Sequence, residues 1–200
     1  MEWTLRLKGK KMGGIKLTDL NGRGPFVYKV NHMHMHASSE HRIGGRQHDL
    51  ELHIVHELVK GPEGEELGDY KESLAVVAFL FKIAPYSHHF IKKLRPHDFG
   101  HIKEINFADL LPTPREASSN ELLEKEEPGF YHYKGSLTSP PCADVVNWIV
   151  HTEVLPVKEA HLASLRAVWQ KHLDGHDNYR DCQPLCGREV VKNLTHHHQH

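Results

Sequence analysis

His34-Met35-His36, followed by Ala37-Ser38-Ser39-Glu40-His41 and then by Glu51-Leu52-His53-Ile54-Val55-His56, sets three imidazoles where two adjacent β-strands can present them to one metal ion. Successive side chains of a strand point to opposite faces, so His34 and His36 share a face while Met35 turns to the other. A neighbouring strand then supplies the third ligand. Three neutral imidazoles leave a tetrahedral Zn2+ with a fourth position open to water, which is the requirement of a hydrolytic or hydration site. A structural site would close that position with a fourth protein ligand.

The chain holds 20 histidines in 200 residues, so His-x-His by itself is weak support. The same spacing recurs at His196/His198 and His198/His200, in a polar tail that reads as an adventitious metal binder. A hydrophobic share of 38% suits one domain with its own core, over residues 1–193, followed by a His-rich tail at 194–200. The formal net charge of -1 at pH 7 gives no basic footprint for nucleic acid and no polybasic membrane patch. The longest apolar run, Leu74 to Phe81, is too short to span a bilayer and reads as a strand buried on both faces. Residues 1–8 alternate as a strand would and lack the apolar core of a signal peptide. The expected compartment is therefore the cytoplasm for the chain as written, and export if it is a piece of a longer one. Cys142, Cys182 and Cys186 are odd in number, which argues against a self-contained disulfide framework.

Strands are expected at 2–8, 25–36, 49–58, 73–83, 130–137 and 144–151, each rich in β-branched or aromatic residues between turn signals. Helices are expected at 85–94 and 157–173, the second with Leu162, Leu165, Val168 and Trp169 at helical spacing as core residues. The stretches 59–72 and 112–128 read as surface loops. At the end of the strand near 130–137 stands Gly135-Ser136-Leu137-Thr138-Ser139-Pro140-Pro141. There Thr138 can take the proton of a zinc hydroxide, and Glu40, a carboxylate beside the ligand strand, can accept the proton that Thr138 passes on.

Together these segments resemble an α-class carbonic anhydrase. The resemblance rests on His34-Met35-His36 with Ser39-Glu40-His41 and Gly44, on Glu51-Leu52-His53-Ile54-Val55-His56, on Tyr133 through Cys142 to Trp148, and on Asn178-Tyr179-Arg180 with Gln183-Pro184-Leu185. It implies a mainly β (α+β) single domain: a central twisted, mostly antiparallel sheet with peripheral helices. It further implies His34, His36 and His53 as zinc ligands, and Thr138 with Glu40 as the hydroxyl relay. Glu51 resembles the carboxylate that fixes the tautomer of a ligand imidazole, a task suited to its place two residues before His53. Val55, Val76, Leu137, Val146 and Trp148 match the apolar wall that holds CO2, with Ser139 beside it, and the Thr138 amide matches the anion-holding donor. The implied reaction is reversible hydration of CO2 to bicarbonate by zinc-hydroxide attack, inhibited by sulfonamides and anions.

The family domain usually begins upstream of the strand that opens this chain, so the resemblance implies a short form lacking the usual N-terminal segment and its proton-shuttle histidine. His32 is a candidate substitute proton acceptor, since it lies two residues before His34 and on the same strand face. In exported members a cysteine directly after Pro-Pro pairs with one in the N-terminal region, and this chain offers Cys142 no such partner. A homo-oligomer, or a partner covering the N-terminal edge of the sheet, is expected to compensate. The competing expectation is a catalytically silent binding or scaffold module; generic zinc storage would instead give several weak sites.

Overall fold

Among the described residues, eight strands hydrogen-bond into one sheet, and a separate two-stranded hairpin sits beside the second histidine strand. The computed structural model describes residues 4–5, 13–62, 73–97, 105–111, 129–172 and 178–194. In chain order the elements are β1 (Thr4–Leu5), β2 (Gly14–Leu17), β3 (Phe26–His36), β4 (Arg42–Ile43), β5 (Arg46–Gln47), β6 (Leu50–Lys60), β7 (Leu74–Ile83), α1 (His89–Lys93), a 3-10 turn (Phe107–Leu110), β8 (Gly129–Gly135), β9 (Val146–Val157), α2 (Glu159–His172) and β10 (Val190–Leu194). The sheet runs β1-β3-β6-β7-β9-β8-β10, with β2 also on β3. Every pairing is antiparallel except β7 with β9.

One irregularity decides which side chains face the site. Val30 pairs with His56 and His32 with Val55, so Asn31 is an extra residue on β3, a bulge. Because side chains alternate with a period of two, that residue reverses the parity of the strand. Tyr28 and Val30 precede the bulge and share a buried face with Met33 and Met35 beyond it, leaving His32, His34 and His36 on the opposite face. On β6 the same division puts Leu50, Leu52 and Ile54 in the larger core and Glu51, His53 and Val55 on the site face.

The larger core lies between the sheet and the helices. Phe90, Ile91 and Leu94 from around α1, Leu110 from the 3-10 turn, and Leu162, Leu165 and Trp169 from α2 pack on Met33, Met35, Leu52 and Phe79. Three residues of the expected core stripe of α2 are thus in place, while Val168 is half-buried outside this core, and the fold class follows the expectation, mostly antiparallel with peripheral helices. A smaller cluster of Val55, Val76, Ala78, Leu80, Val146, Trp148 and Val150 fills the site face.

Several expected boundaries move. β9 was expected to stop at residue 151 but runs to Val157. Beyond His151 it has left β8 and pairs with β7 alone, so Pro156, which has no N–H, costs the ladder nothing on its open side. β6 continues to Lys60 into the expected loop, and α1 is a five-residue helix rather than the whole of 85–94. β2 and β10 were not expected. Both are short edge pieces, and their hydrogen-bonding partners β3 and β8 supply the order that their own sequence pattern does not. β10 runs through Leu194, where the polar tail was expected to begin. The strand expected at 2–8 is described at Thr4–Leu5 alone; the rest of it, the loop at 112–128, most of 59–72 and the tail at 195–200 lie outside the described residues.

Candidate metal centre

His34 and His53 are direct cross-strand partners, and His36 sits opposite Glu51 on the same strand pair. All three imidazoles are buried. Their rings stand 4.9, 5.0 and 4.7 Å apart, centroid to centroid. One nitrogen from each lies within 4.8 Å of the other two. The outward nitrogens of two of them are already engaged: His36 Nδ1 is 2.5 Å from the Asn178 carbonyl oxygen, and His53 Nε2 is 2.6 Å from Glu51 Oε1. Both acceptors require an N–H, so His36 Nε2 and His53 Nδ1 keep their lone pairs for the centre. His53 Nδ1 lies 3.2 Å from His34 Nε2. Two nitrogens bound to one tetrahedral zinc stand about 3.3 Å apart, given bond lengths of about 2.0–2.1 Å. Donor type, spacing and the buried Nε2 of His36, which makes no hydrogen bond, all fit zinc.

Glu51 organises the layer behind the ligands. Its Oε1 meets both His53 Nε2 and His41 Nδ1, the latter at 2.5 Å, while Oε2 accepts the backbone N–H groups of Glu40 and His41 at 2.9 and 2.8 Å. Burial alone would raise this carboxyl; the imidazoles of His41 and His53 outweigh that and hold it well below the usual carboxylate range. Burial pushes the His53 imidazole down to about 3, against the opposing pull of Glu51, so this imidazole is neutral at physiological pH. For His41 the order reverses: burial lowers it, but Glu51 prevails and its pKa is raised. His41 Nε2 is also 2.7 Å from the Tyr133 hydroxyl.

The hairpin between the two histidine strands holds Glu40 and His41 over β6. Gly44 and Gly45 carry φ of 58° and 75°, the left-handed pair that a two-residue loop between β4 and β5 requires. Ser39 closes its base: the Ser39 N–H donates to the His48 carbonyl at 2.9 Å, and the His48 N–H donates to Ser39 Oγ at 2.8 Å. Glu40 Oε1 accepts the Arg180 N–H at 2.8 Å and lies 3.5 Å from His36 Nδ1. Burial raises the Glu40 carboxyl, opposed by His36, the Arg180 amide and, more weakly, the Thr138 hydroxyl. Oε2 of Glu40 is buried without a full hydrogen bond, so the Thr138 contact is a near approach rather than a closed bond.

Val55, Val76, Val146 and Trp148 are buried in one cluster, and Leu137 packs against it. The Trp148 ring stands 4.8 Å from that of His53, which puts this apolar surface beside a ligand. Trp148 Nε1 donates to the Ser136 carbonyl at 3.1 Å and ties the wall to the segment carrying Thr138. Ser139 is half-buried in the same segment, and its carbonyl accepts the Cys142 N–H. His32 is half-buried, stacks on His34 at 5.3 Å, and has Nδ1 2.8 Å from Asn31 Oδ1. A cavity of about 710 Å3 reaches Glu40, Thr138, Trp148 and Arg180. Sequence reasoning assigned no role to His41, Tyr133, Asn178 or Arg180. Asn178 and Arg180 stand more than 130 residues from their partners, and no local spacing announces such a contact.

A family model described as eukaryotic-type carbonic anhydrase matches residues 3–194. Carbonic anhydrase 6 of Bos taurus is 28% identical over 183 residues, a match covering 86% of this chain and 56% of the relative. Among solved structures, the α-carbonic anhydrase of Thermovibrio ammonificans in complex with sulfanilamide aligns at a TM-score of 0.60 and 29% identity, over 85% of this chain and 64% of that one. A carbonic anhydrase of Chlamydomonas reinhardtii in complex with acetazolamide aligns at 0.63 and 25% identity, over 86% and 68%. The chain spans just over half the length of the curated relatives it matches. On the family match across nearly its whole length, the chain belongs to the eukaryotic-type carbonic anhydrase family.

Proposed function

We propose that this chain, with zinc held by His34, His36 and His53, catalyses the reversible hydration of CO2 to bicarbonate and a proton. The observation that carries this reading is the convergence of three imidazole nitrogens within 4.8 Å. When bound there, zinc would serve as a Lewis acid that brings the pKa of a coordinated water to about 7.

The chain's own residues supply the rest. Glu51 and the Asn178 carbonyl keep His53 and His36 in the ligating tautomer. Glu40, fixed by the Arg180 amide and in near approach to Thr138, is placed to accept a hydrogen bond from the Thr138 hydroxyl, which leaves the Thr138 oxygen able to accept one in turn. The Thr138 N–H, with Ser139 beside it, holds bicarbonate or an inhibitor anion. Val55, Val76, Leu137, Val146 and Trp148 exclude water and give CO2 an apolar seat near His53. His32 takes the proton-acceptor place: Asn31 occupies its Nδ1, and Nε2 receives the proton. Sulfonamide complexes of two structural relatives support an aromatic sulfonamide as inhibitor.

Zinc titration of the full chain, followed by CO2 hydration with and without an aromatic sulfonamide, tests the reading. It expects one tight zinc per chain and a hydration rate that the sulfonamide abolishes. One tight zinc with no hydration would instead make the chain a silent binding module.

A further inference from the structure

His161 lies in the first turn of α2, half-buried, and His97 stands exposed after α1. Their rings are 5.2 Å apart at 60°, close to the 4.7 to 5.0 Å between the rings of the three-histidine centre. Neither residue belongs to that centre.

Proton accounting fixes what His97 presents. A hydroxyl has one proton and two lone pairs. Ser164 gives its proton to the Ala160 carbonyl at 3.0 Å, so its 2.7 Å contact with His97 Nδ1 is a donation from the ring. His97 is therefore the Nδ1–H tautomer, and its Nε2 carries a lone pair. On the other side, Ser87 Oγ accepts the Lys158 N–H at 2.7 Å and lies 2.7 Å from His161 Nδ1; rotation of its hydroxyl lets it accept from the ring through its second lone pair, and a metal on Nε2 selects that tautomer. Among the described residues, nothing hydrogen-bonds Nε2 of either ring. Both imidazoles thus have the nitrogen nearer the backbone anchored by a serine, the arrangement in which an outer partner orients a metal-ligating histidine. Burial first, then His97, Lys158 and Lys92, lower the His161 pKa and keep it neutral, as ligation demands. The same two lysines oppose any cation, and copper(II) stands above zinc(II) in intrinsic affinity for imidazole donors.

We propose that His97 and His161 form a second, peripheral site for a divalent transition ion, copper(II) ahead of zinc(II), with water completing the coordination.

The test uses the full chain loaded with one zinc, with His196, His197, His198 and His200 replaced by Asn so that the tail does not compete. Copper(II) is titrated in, and its electron paramagnetic resonance spectrum and affinity are recorded alongside the retained zinc. The expected result is one copper per chain with coupling to two imidazole nitrogens and zinc still bound. His97→Ala and His161→Ala should each remove one nitrogen coupling and weaken binding at least about tenfold, and Ser164→Ala, which removes an anchor and no ligand, should weaken it about tenfold. Circular dichroism checks that each variant is folded. Unchanged affinity and nitrogen coupling in both histidine variants, or copper that binds only by displacing zinc, would overturn the proposal.

Discussion

Glu51 Oε1 lies 2.6 Å from His53 Nε2, so a fully buried carboxylate fixes which nitrogen of a zinc-ligand candidate faces the centre. The same carboxylate also accepts two backbone N–H groups from the Glu40–His41 turn. One side chain thereby sets the His53 tautomer and holds the turn that carries Glu40 in place.

Glu51→Gln keeps the shape but removes the charge, and an amide cannot accept at every one of these contacts. Zinc affinity should fall about 10- to 100-fold, with near-native circular dichroism. Competition with a chromophoric chelator measures it. An affinity unchanged from wild type would contradict the role given to Glu51.

Asn31 is the bulge that turns His34 and His36 to the site face. Deleting it restores simple alternation and moves either the histidines or the Phe26–Val30 apolar set to the wrong side. The expected product binds no zinc tightly or fails to form the cooperative native state. A deletion variant that melts cooperatively and binds one zinc with wild-type affinity would remove the bulge from the account.

Val76 is buried in the apolar cluster with Trp148, whose ring stands beside His53. Val76→Tyr fills the seat assigned to CO2 without touching a ligand. Zinc content should remain at one per chain while kcat/KM for CO2 hydration falls about a hundredfold, the order expected when a reactant is displaced. Loss of zinc in this variant would mean that the wall supports the metal rather than the substrate.

Burial lowers the pKa of His56, His132 and His151 from the ordinary 6.5. Below pH 6.5 the unfolded chain takes up protons that these native imidazoles refuse, so stability falls as pH drops through that region. His41 and Glu40 are raised and pull the other way, holding stability that disappears as pH rises; His48, His53 and His161 are lowered as well and add to the first three, which sets the sign. Metal-free protein should therefore melt at a lower temperature at pH 5.5 than at pH 7.5. His151→Leu should reduce the difference, which thermal melts at the two pH values read directly.

The ligand strands were legible because two constraints coincide in them. Period-two alternation puts His34 and His36 on one face, and Glu51 and His53 repeat the spacing on a partner strand. The core stripe of α2 was legible for the same reason at period 3.6, in Leu162, Leu165 and Trp169. The extension of β9 past His151 was hidden by Pro156, which signals a break unless one knows that its N side faces no partner strand. The contacts of Asn178 and Arg180 were hidden because they cross more than 130 residues and rest in part on a backbone carbonyl and a backbone N–H, groups that every residue carries; the Asn178 side chain also accepts the Ala37 N–H and donates to the Met35 carbonyl. Nor could spacing reveal that His41 joins Glu51 to Tyr133, since that link needs three elements brought together by the sheet.

Stopped-flow CO2 hydration on zinc-loaded full-length chain, with His53→Ala as control and buffer concentration varied, tests the central claim most directly. The account predicts a zinc-dependent rate that disappears in the variant. One tightly bound zinc in the wild-type chain with no rate above the uncatalysed reaction at any buffer concentration would contradict it.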